Sequence, residues 1–269
     1  MAPSTLRALA DLRRPPVAVR YGPHRQQVCE LHVPDGPGPH PVAVVLHGGF
    51  WRARRSRRYV RPLCADLARH GWAAWNVEYR RVGLGQGGGW PATFVDVASG
   101  IDRLAEVRER LDLERVVAIG HSAGGHLALW AAARSGLPDG APGAAPLVRV
   151  TGVAALAAAS DLEATPSLFE PGGAVFDLMG CTPADAPDER YGLANPIRRL
   201  PLGVPLLLLH GTADETVPVR RSRDFAERAR AAGDDVALVE PPGAGHRALV
   251  DPRRGEWAEV IRWLTRLGG

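Results

Sequence analysis

The sequence predicts an α/β fold: a mostly parallel central sheet with helices on both faces and a small cap insertion. Three observations predict it. Short apolar runs rich in Val, Leu and Ala alternate with segments whose apolar residues recur at helical spacing. The chain has 269 residues, 45% of them hydrophobic, enough for one large core. Residues Val116 to Gly125 read VVAIGHSAGG, an apolar run that breaks into small residues just before LALWAAA. That is the pattern of a strand feeding a sharp turn into a buried helix. Strands separated by helices imply a parallel sheet covered on both sides.

Taken in order, Val17–Tyr21 and Gln27–Val33 are strand-like and flank a turn at Gly22-Pro23, which gives the sheet an antiparallel opening. A second turn, Asp35-Gly36-Pro37-Gly38-Pro39, leads into the buried strand VAVVL at Val42–Leu46. Tyr59–His70 has helical spacing and Gly71 ends it. Ala73–Tyr79 is the next strand. Pro91–Leu111 is expected to be one helix, with Pro at its start and apolar Phe94, Val97, Ile101 and Leu104 on one face. Arg115–Ile119 is the strand before Ser122, followed by strands at Val150–Ala158 and Leu206–Leu209. Val217–Ala232 reads as a helix, Val236–Val239 as a strand and Arg254–Leu267 as the last helix. Segment 161–200 breaks this rhythm. It is rich in Pro and Gly, with scattered apolar Leu168, Phe169, Phe176, Leu178 and Met179. A stretch of that length is rarely bare loop, so it is expected to form a cap or lid on a single domain spanning 1–269. No internal repeat or low-complexity linker divides the chain.

Composition narrows the function classes. The net charge of +4 is spread along the chain, and no nucleic-acid motif accompanies it. The densest basic stretch, WRARRSRRYVR at Trp51–Arg61, reads either as a solvated helix start or as an anion-steering rim beside a pocket. Cys29, Cys64 and Cys181 fit neither a metal site nor a disulfide framework, and each is expected to be a small reduced residue. The first residues lack the long apolar core of a secretory signal. No stretch approaches the ~18 apolar residues of a membrane span. The expectation is a soluble cytoplasmic protein acting on a small-molecule substrate, with no nucleic acid and no membrane as partner; monomer and homo-oligomer both stay open.

Ligands of such sheets bind at the carboxyl ends of the strands, so chemistry is sought there. Ser122, at the tip of the turn, is held proud of the sheet as a nucleophile would be. A serine hydroxyl needs a base to take its proton and a third group to orient that base. Among nine histidines, His246 sits in a glycine loop (GAGH) soon after Val236–Val239 and is the expected base. His47 and His210 end strands within glycine turns, while His121 and His126 flank the serine and cannot easily swing back to it. Asp214 in HGTADETVP, after Leu206–Leu209, is the favoured orienting carboxylate. Asp161 competes, because it too follows a strand; its other role is to cap the next segment. Glu215 is expected to point elsewhere. A tetrahedral oxyanion needs preorganised N–H donors: Ala123, after the nucleophile, and Gly49 and Phe50 in the loop His47-Gly48-Gly49-Phe50-Trp51. His47 is expected to tie that loop down.

With these parts in the order Ser122, Asp214, His246, the sequence resembles the α/β-hydrolase superfamily, in its esterase/lipase branch, over essentially the whole chain. HGGFW is similar to the HGGxW signature of kynurenine formamidases and related bacterial carboxylesterases. It departs from the HGGG of hormone-sensitive-lipase-like esterases at Phe50. VEYRR at Val77–Arg81 and WPATFVDV at Trp90–Val97 are similar to a segment shared by both groups, in which Arg80 is expected to pair with Asp96 and brace the serine turn. GHSAGG and HGTADETVP also resemble prolyl-oligopeptidase catalytic domains, but no propeller accompanies them here. The resemblance implies an acyl-transfer serine hydrolase without metal or organic cofactor. Phe50, Trp51, Trp90, Phe176, Met179 and Leu168 are candidates for an apolar pocket, each with core packing as its other role. Three functions stay open: an esterase for small acyl or aryl esters, an arylformamidase, and a non-catalytic binding protein on a hydrolase fold.

Overall fold

The computed structural model describes residues 15–164, 172–186 and 189–267. Eight strands form one sheet in the order β1-β2-β4-β3-β5-β6-β7-β8. They are β1 (Val17–Arg20), β2 (Val28–His32), β3 (His40–Leu46), β4 (Ala73–Val77), β5 (Leu111–His121), β6 (Gly152–Leu156), β7 (Leu206–Leu209) and β8 (Val236–Val239). The β1–β2 and β2–β4 pairs are antiparallel and every later pair is parallel, as the opening hairpin and the alternation of strands and helices predict.

Period-two alternation sends the two sides of each central strand into two separate cores. Val42, Val44 and Leu46 of β3 join one core and Ala43 and Val45 the other. Val116 and Ala118 are likewise split from Val117 and Ile119, and Leu206 and Leu208 from Leu207 and Leu209. The first core is covered by α2 (Ala92–Asp102), α3 (Ala123–Ala133) and α6 (Arg220–Ala231), and the second by α1 (Arg61–Arg69) and α7 (Gly255–Leu267). A strand buried on both faces must be apolar throughout, and all of Val42–Leu46 is buried. Every residue of α3 is buried too, which explains why LALWAAA has no polar face.

Several boundaries differ from the sequence expectation, three of them informatively. The helix at Pro91 ends at Asp102, two short 3₁₀ turns follow, and Leu111 opens β5 instead of closing a helix. Leu111 pairs with His40 on β3, and that sheet pairing outweighs the local helical propensity of Arg103–Arg110. α6 begins at Arg220, not Val217, because the backbone of Val217 bonds Asp214 and His210 instead. β6 stops at Leu156, where Ala157 turns to a φ of 44°. Within 161–200, α4 (Ala174–Met179) and α5 (Arg190–Ala194) are the described helices; Leu168 and Phe169 lie outside the described residues.

Candidate active site

β5 runs into α3 through Ser122, whose φ and ψ are 57° and −119°. A non-glycine residue there is strained and persists only when its surroundings fix it. Two bonds do so. Ser122 N–H donates to the Leu156 carbonyl of β6 at 2.8 Å, and the Ser122 carbonyl accepts from His126 N–H at 3.1 Å. The turn also needs glycine behind it. A Cβ on Gly124 would sit 2.1 Å from the Leu46 carbonyl oxygen, so no larger residue lets α3 lie this close to β3.

The loop after β7 places Asp214, whose side chain is inaccessible to solvent. One carboxylate oxygen accepts the amides of Thr216 and Val217 at 2.8 and 2.9 Å. The other accepts His246 Nδ1–H at 2.7 Å and lies 3.2 Å from His210 Nε2. Burial alone would raise this carboxyl, but the bonds from His210, His246 and Val217 hold it well below the usual carboxylate range. Because Nδ1–H faces a carboxylate, Nε2 of His246 carries the free lone pair. His246 and Ser122 line the same cavity of about 360 Å³. Among the described residues no hydrogen bond joins Ser122 Oγ to His246. Such contacts commonly tighten only when substrate binds.

The loop after β3 lies on the other side of Ser122. Phe50 and Trp51 have φ values of 57° and 56°, and Arg52 N–H closes the turn on the Gly49 carbonyl at 3.0 Å. The amides of Gly49, Phe50 and Ala123 donate to no acceptor among the described residues. His47 ties the loop down as expected. Its Nε2–H bonds Glu78 at 2.9 Å, its ring stacks on Tyr79 with centroids 4.4 Å apart, and its carbonyl accepts the Tyr79 hydroxyl at 2.7 Å.

The competing assignments separate clearly. Asp161 accepts the Glu163 amide at 2.9 Å and Asn195 Nδ2–H at 2.8 Å, and is not bonded to His246. Arg80 does pair with Asp96, through Nε and Nη2 at 2.8 Å each. Gln27 and the Arg80 amide complete the shell of this fully buried carboxylate. These partners lie on the β4–α2 connection and the first hairpin, so the pair braces that region and not the serine turn.

The apolar lining is only partly as expected. A second cavity of about 320 Å³ meets the first at Ser122 and Phe50. Trp51 lines it, together with Ala123, Ala159, Leu162, Val175, Val217 and Pro218. Trp90, Phe176 and Met179 line neither cavity. Met179 is 1% exposed in the core, and Trp90 packs edge-on against Phe94 with centroids 5.0 Å apart. The sequence offers all three as pocket candidates with core packing as the other role; from α4 it is Val175 that lines the cavity.

Several site residues escape sequence reasoning. His210 is fully buried, with Nδ1 bonded to Ser222 Oγ at 2.7 Å, and so backs Asp214. His121 bonds the His246 carbonyl through Nε2 at 2.9 Å, and the two rings lie 4.5 Å apart. Tyr59, Arg54, Arg55 and Arg247 line the serine cavity. The spacing of four between His210 and Asp214 and the basic stretch Trp51–Arg61, which holds Arg54, Arg55 and Tyr59, were the available signals; His121 and Arg247 need the fold.

The BD-FAE family model matches residues 30–229, most of the chain. The chain belongs to the BD-FAE family. This BD-FAE chain is 28% identical over 240 residues to Esterase LipC of Mycobacterium tuberculosis, covering 83% of this chain and 57% of LipC. It spans 59% of a second curated relative, Esterase LipQ of the same organism. Among solved structures it is similar to a truncated carbohydrate esterase from gut microbiota, with a TM-score of 0.78 and 20% identity over 93% of this chain and 94% of that one. It is also similar to esterase Est2 of Thermogutta terrifontis bound to butyrate, with a TM-score of 0.74 and 23% identity over 94% and 93%. Est2 has also been solved phosphorylated by paraoxon. These likenesses establish the α/β-hydrolase fold. Among the described residues no His, Cys, Asp and Glu cluster is placed to hold a metal, and no helix is long and apolar enough to cross a membrane.

Proposed function

We propose that this BD-FAE protein is a serine hydrolase that cleaves carboxylic esters of small acyl or aryl substrates through an acyl-enzyme. One observation carries the reading: His246, oriented by a 2.7 Å bond to Asp214, lines the cavity into which the strained Ser122 opens. In this reading Ser122 Oγ attacks the ester carbonyl while His246 Nε2 takes its proton. The resulting oxyanion is met by the amides of Ala123 and of Phe50 or Gly49, which have no other partner among the described residues. His246 then returns the proton to the departing alcohol. Water, deprotonated by the same imidazole, releases the acid and restores Ser122. Asp214 stays ionised throughout and stabilises the imidazolium. The esterase names of LipC and LipQ, and the phosphorylated form of Est2, support the same chemistry.

The acyl group belongs in the apolar cavity beside Ala123, with Leu162 and Val175 of the 161–200 insertion as its far wall. An arylformamide fits the same machinery, but a formyl group leaves a cavity of about 320 Å³ nearly empty. Short and medium acyl esters are therefore the better substrates. The test is hydrolysis of nitrophenyl acyl esters beside N-formylkynurenine, with Ser122→Ala and labelling by a fluorophosphonate. The wild-type protein should turn over the esters and take up one label per chain, and Ser122→Ala should do neither. Full activity in the alanine variant would sink the assignment.

A further inference from the structure

The two cavities that meet at Ser122 differ in charge, and the difference says which end of the substrate is charged. The apolar one carries Arg220 and Arg221 on its rim together with Asp161 and Glu215, so acids and bases are matched there. The other is lined by Arg54, Arg55 and Arg247 with no acidic residue. None of these three arginines forms an ion pair with a carboxylate among the described residues. Other arginines of the same stretch are neutralised. Arg52 is paired with Asp177, while Arg57 and Arg61 are both paired with Glu30. Arg55 lies over the Tyr59 ring, 5.0 Å from its centroid. The closest acid of the catalytic group, Asp214, sits behind His246 and is fully engaged by four donors. Three unneutralised guanidinium groups around one mouth create a field that attracts an anion.

The position of His246 fixes the half of the substrate that feels this field. His246 must give its proton to the leaving oxygen, so the alcohol half lies on its side of Ser122. His246 lines only the arginine-bearing cavity of the two. The acyl half is left with the apolar cavity beside Ala123. We infer that the physiological substrate is an ester of an apolar acid with an alcohol that bears a carboxylate or another anionic group, held by Arg54, Arg55 and Arg247. This rests on Ser122 acting as the nucleophile. The step itself is unchanged: the acyl C–O bond breaks, and the proton first taken from Ser122 leaves on the anionic alcohol.

The experiment compares two esters that differ in the leaving half alone, 4-butanoyloxybenzoate and the neutral 4-butanoyloxybenzamide. kcat/KM is measured for the wild-type protein, for Arg54→Gln, Arg55→Gln and Arg247→Gln, and for the triple variant, at low salt and in 1 M sodium chloride. The wild-type protein should prefer the benzoate about tenfold at low salt, as expected of several part-exposed ion pairs acting together. Each single replacement should lower that preference about two- to threefold, and the triple variant should abolish it. High salt, which shrinks the Debye length from about 10 Å at 0.1 M to about 3 Å at 1 M, should weaken the preference without any mutation. Equal turnover of both esters, insensitive to salt, overturns this inference and leaves the esterase reading standing. A benzoate preference that survives the triple replacement overturns the arginine assignment. Failure to hydrolyse either ester, with no fluorophosphonate label, overturns the esterase reading itself.

Discussion

Asp214 shows how one side chain is made to serve one purpose. Four donors converge on its two oxygens, and three of them are fixed by backbone or by a fully buried imidazole. The carboxylate cannot turn, so His246 is presented in one tautomer only. Replacing Asp214 by Asn keeps the shape but offers an N–H where Nδ1–H needs an acceptor. We expect kcat for nitrophenyl butyrate to fall by about 10⁴ with KM little changed. A loss of less than tenfold, measured by steady-state kinetics, would show that His246 is oriented by something else. The four-residue spacing of His210 and Asp214 was readable in HGTAD, but the support it gives was not: only the fold shows that Ser222 turns the imidazole toward the carboxylate.

Elements hold these side chains by contact too tight to permit substitution. Gly124 touches the end of β3 so closely that Gly124→Val would push α3 off the sheet and carry Ser122 with it. We expect that variant to be unfolded or inactive as purified, checked by circular dichroism and fluorophosphonate labelling together. The first hairpin is held differently. Asp96 is fully buried and Arg80 is its charged partner. Arg80→Met would leave that carboxylate uncompensated and should cost about 3–5 kcal/mol in urea unfolding. Asp96→Asn should cost less, because a neutral amide keeps part of the bonding. Element identities were mostly plain in the sequence, since apolar runs and turn residues carry them. Their ends were not: Leu111 looks like the last turn of a helix until it is seen paired with His40 across the sheet. Ser122, Asp214 and His246 could be picked out as candidates because each follows a strand and sits among small residues, and the fold brings Asp214 and His246 into a hydrogen bond. Trp90, Phe176 and Met179 line neither cavity, and an apolar side chain reads the same in the sequence whether or not it faces a ligand.

At the scale of the whole molecule, two buried imidazoles contribute strongly to the response to acid. Burial, reinforced by the neighbouring His246, pushes His121 down to about 3, and burial pushes His126 down to about 4. Both lie below the ordinary histidine value of about 6.5. The unfolded chain therefore binds more protons than the folded one as pH falls below about 6.5. Each imidazole should remove about 1 kcal/mol of stability per pH unit from there down to its own folded value. Asp214, depressed in the fold, adds a further loss below the ordinary carboxylate range. Urea midpoints at pH 7, 6 and 5 should decline steadily, and His126→Gln should flatten the decline. An unchanged midpoint across that span would contradict the burial argument.

The bond from His121 to the carbonyl of His246 has one more effect. The residue just ahead of Ser122 grips the loop that bears His246, so Ser122 and His246 are tied to one another. A gate made by swinging the base aside would tear that grip open. Access to the cavity then has to leave this loop in place, and Arg54 and Arg55 line that same cavity.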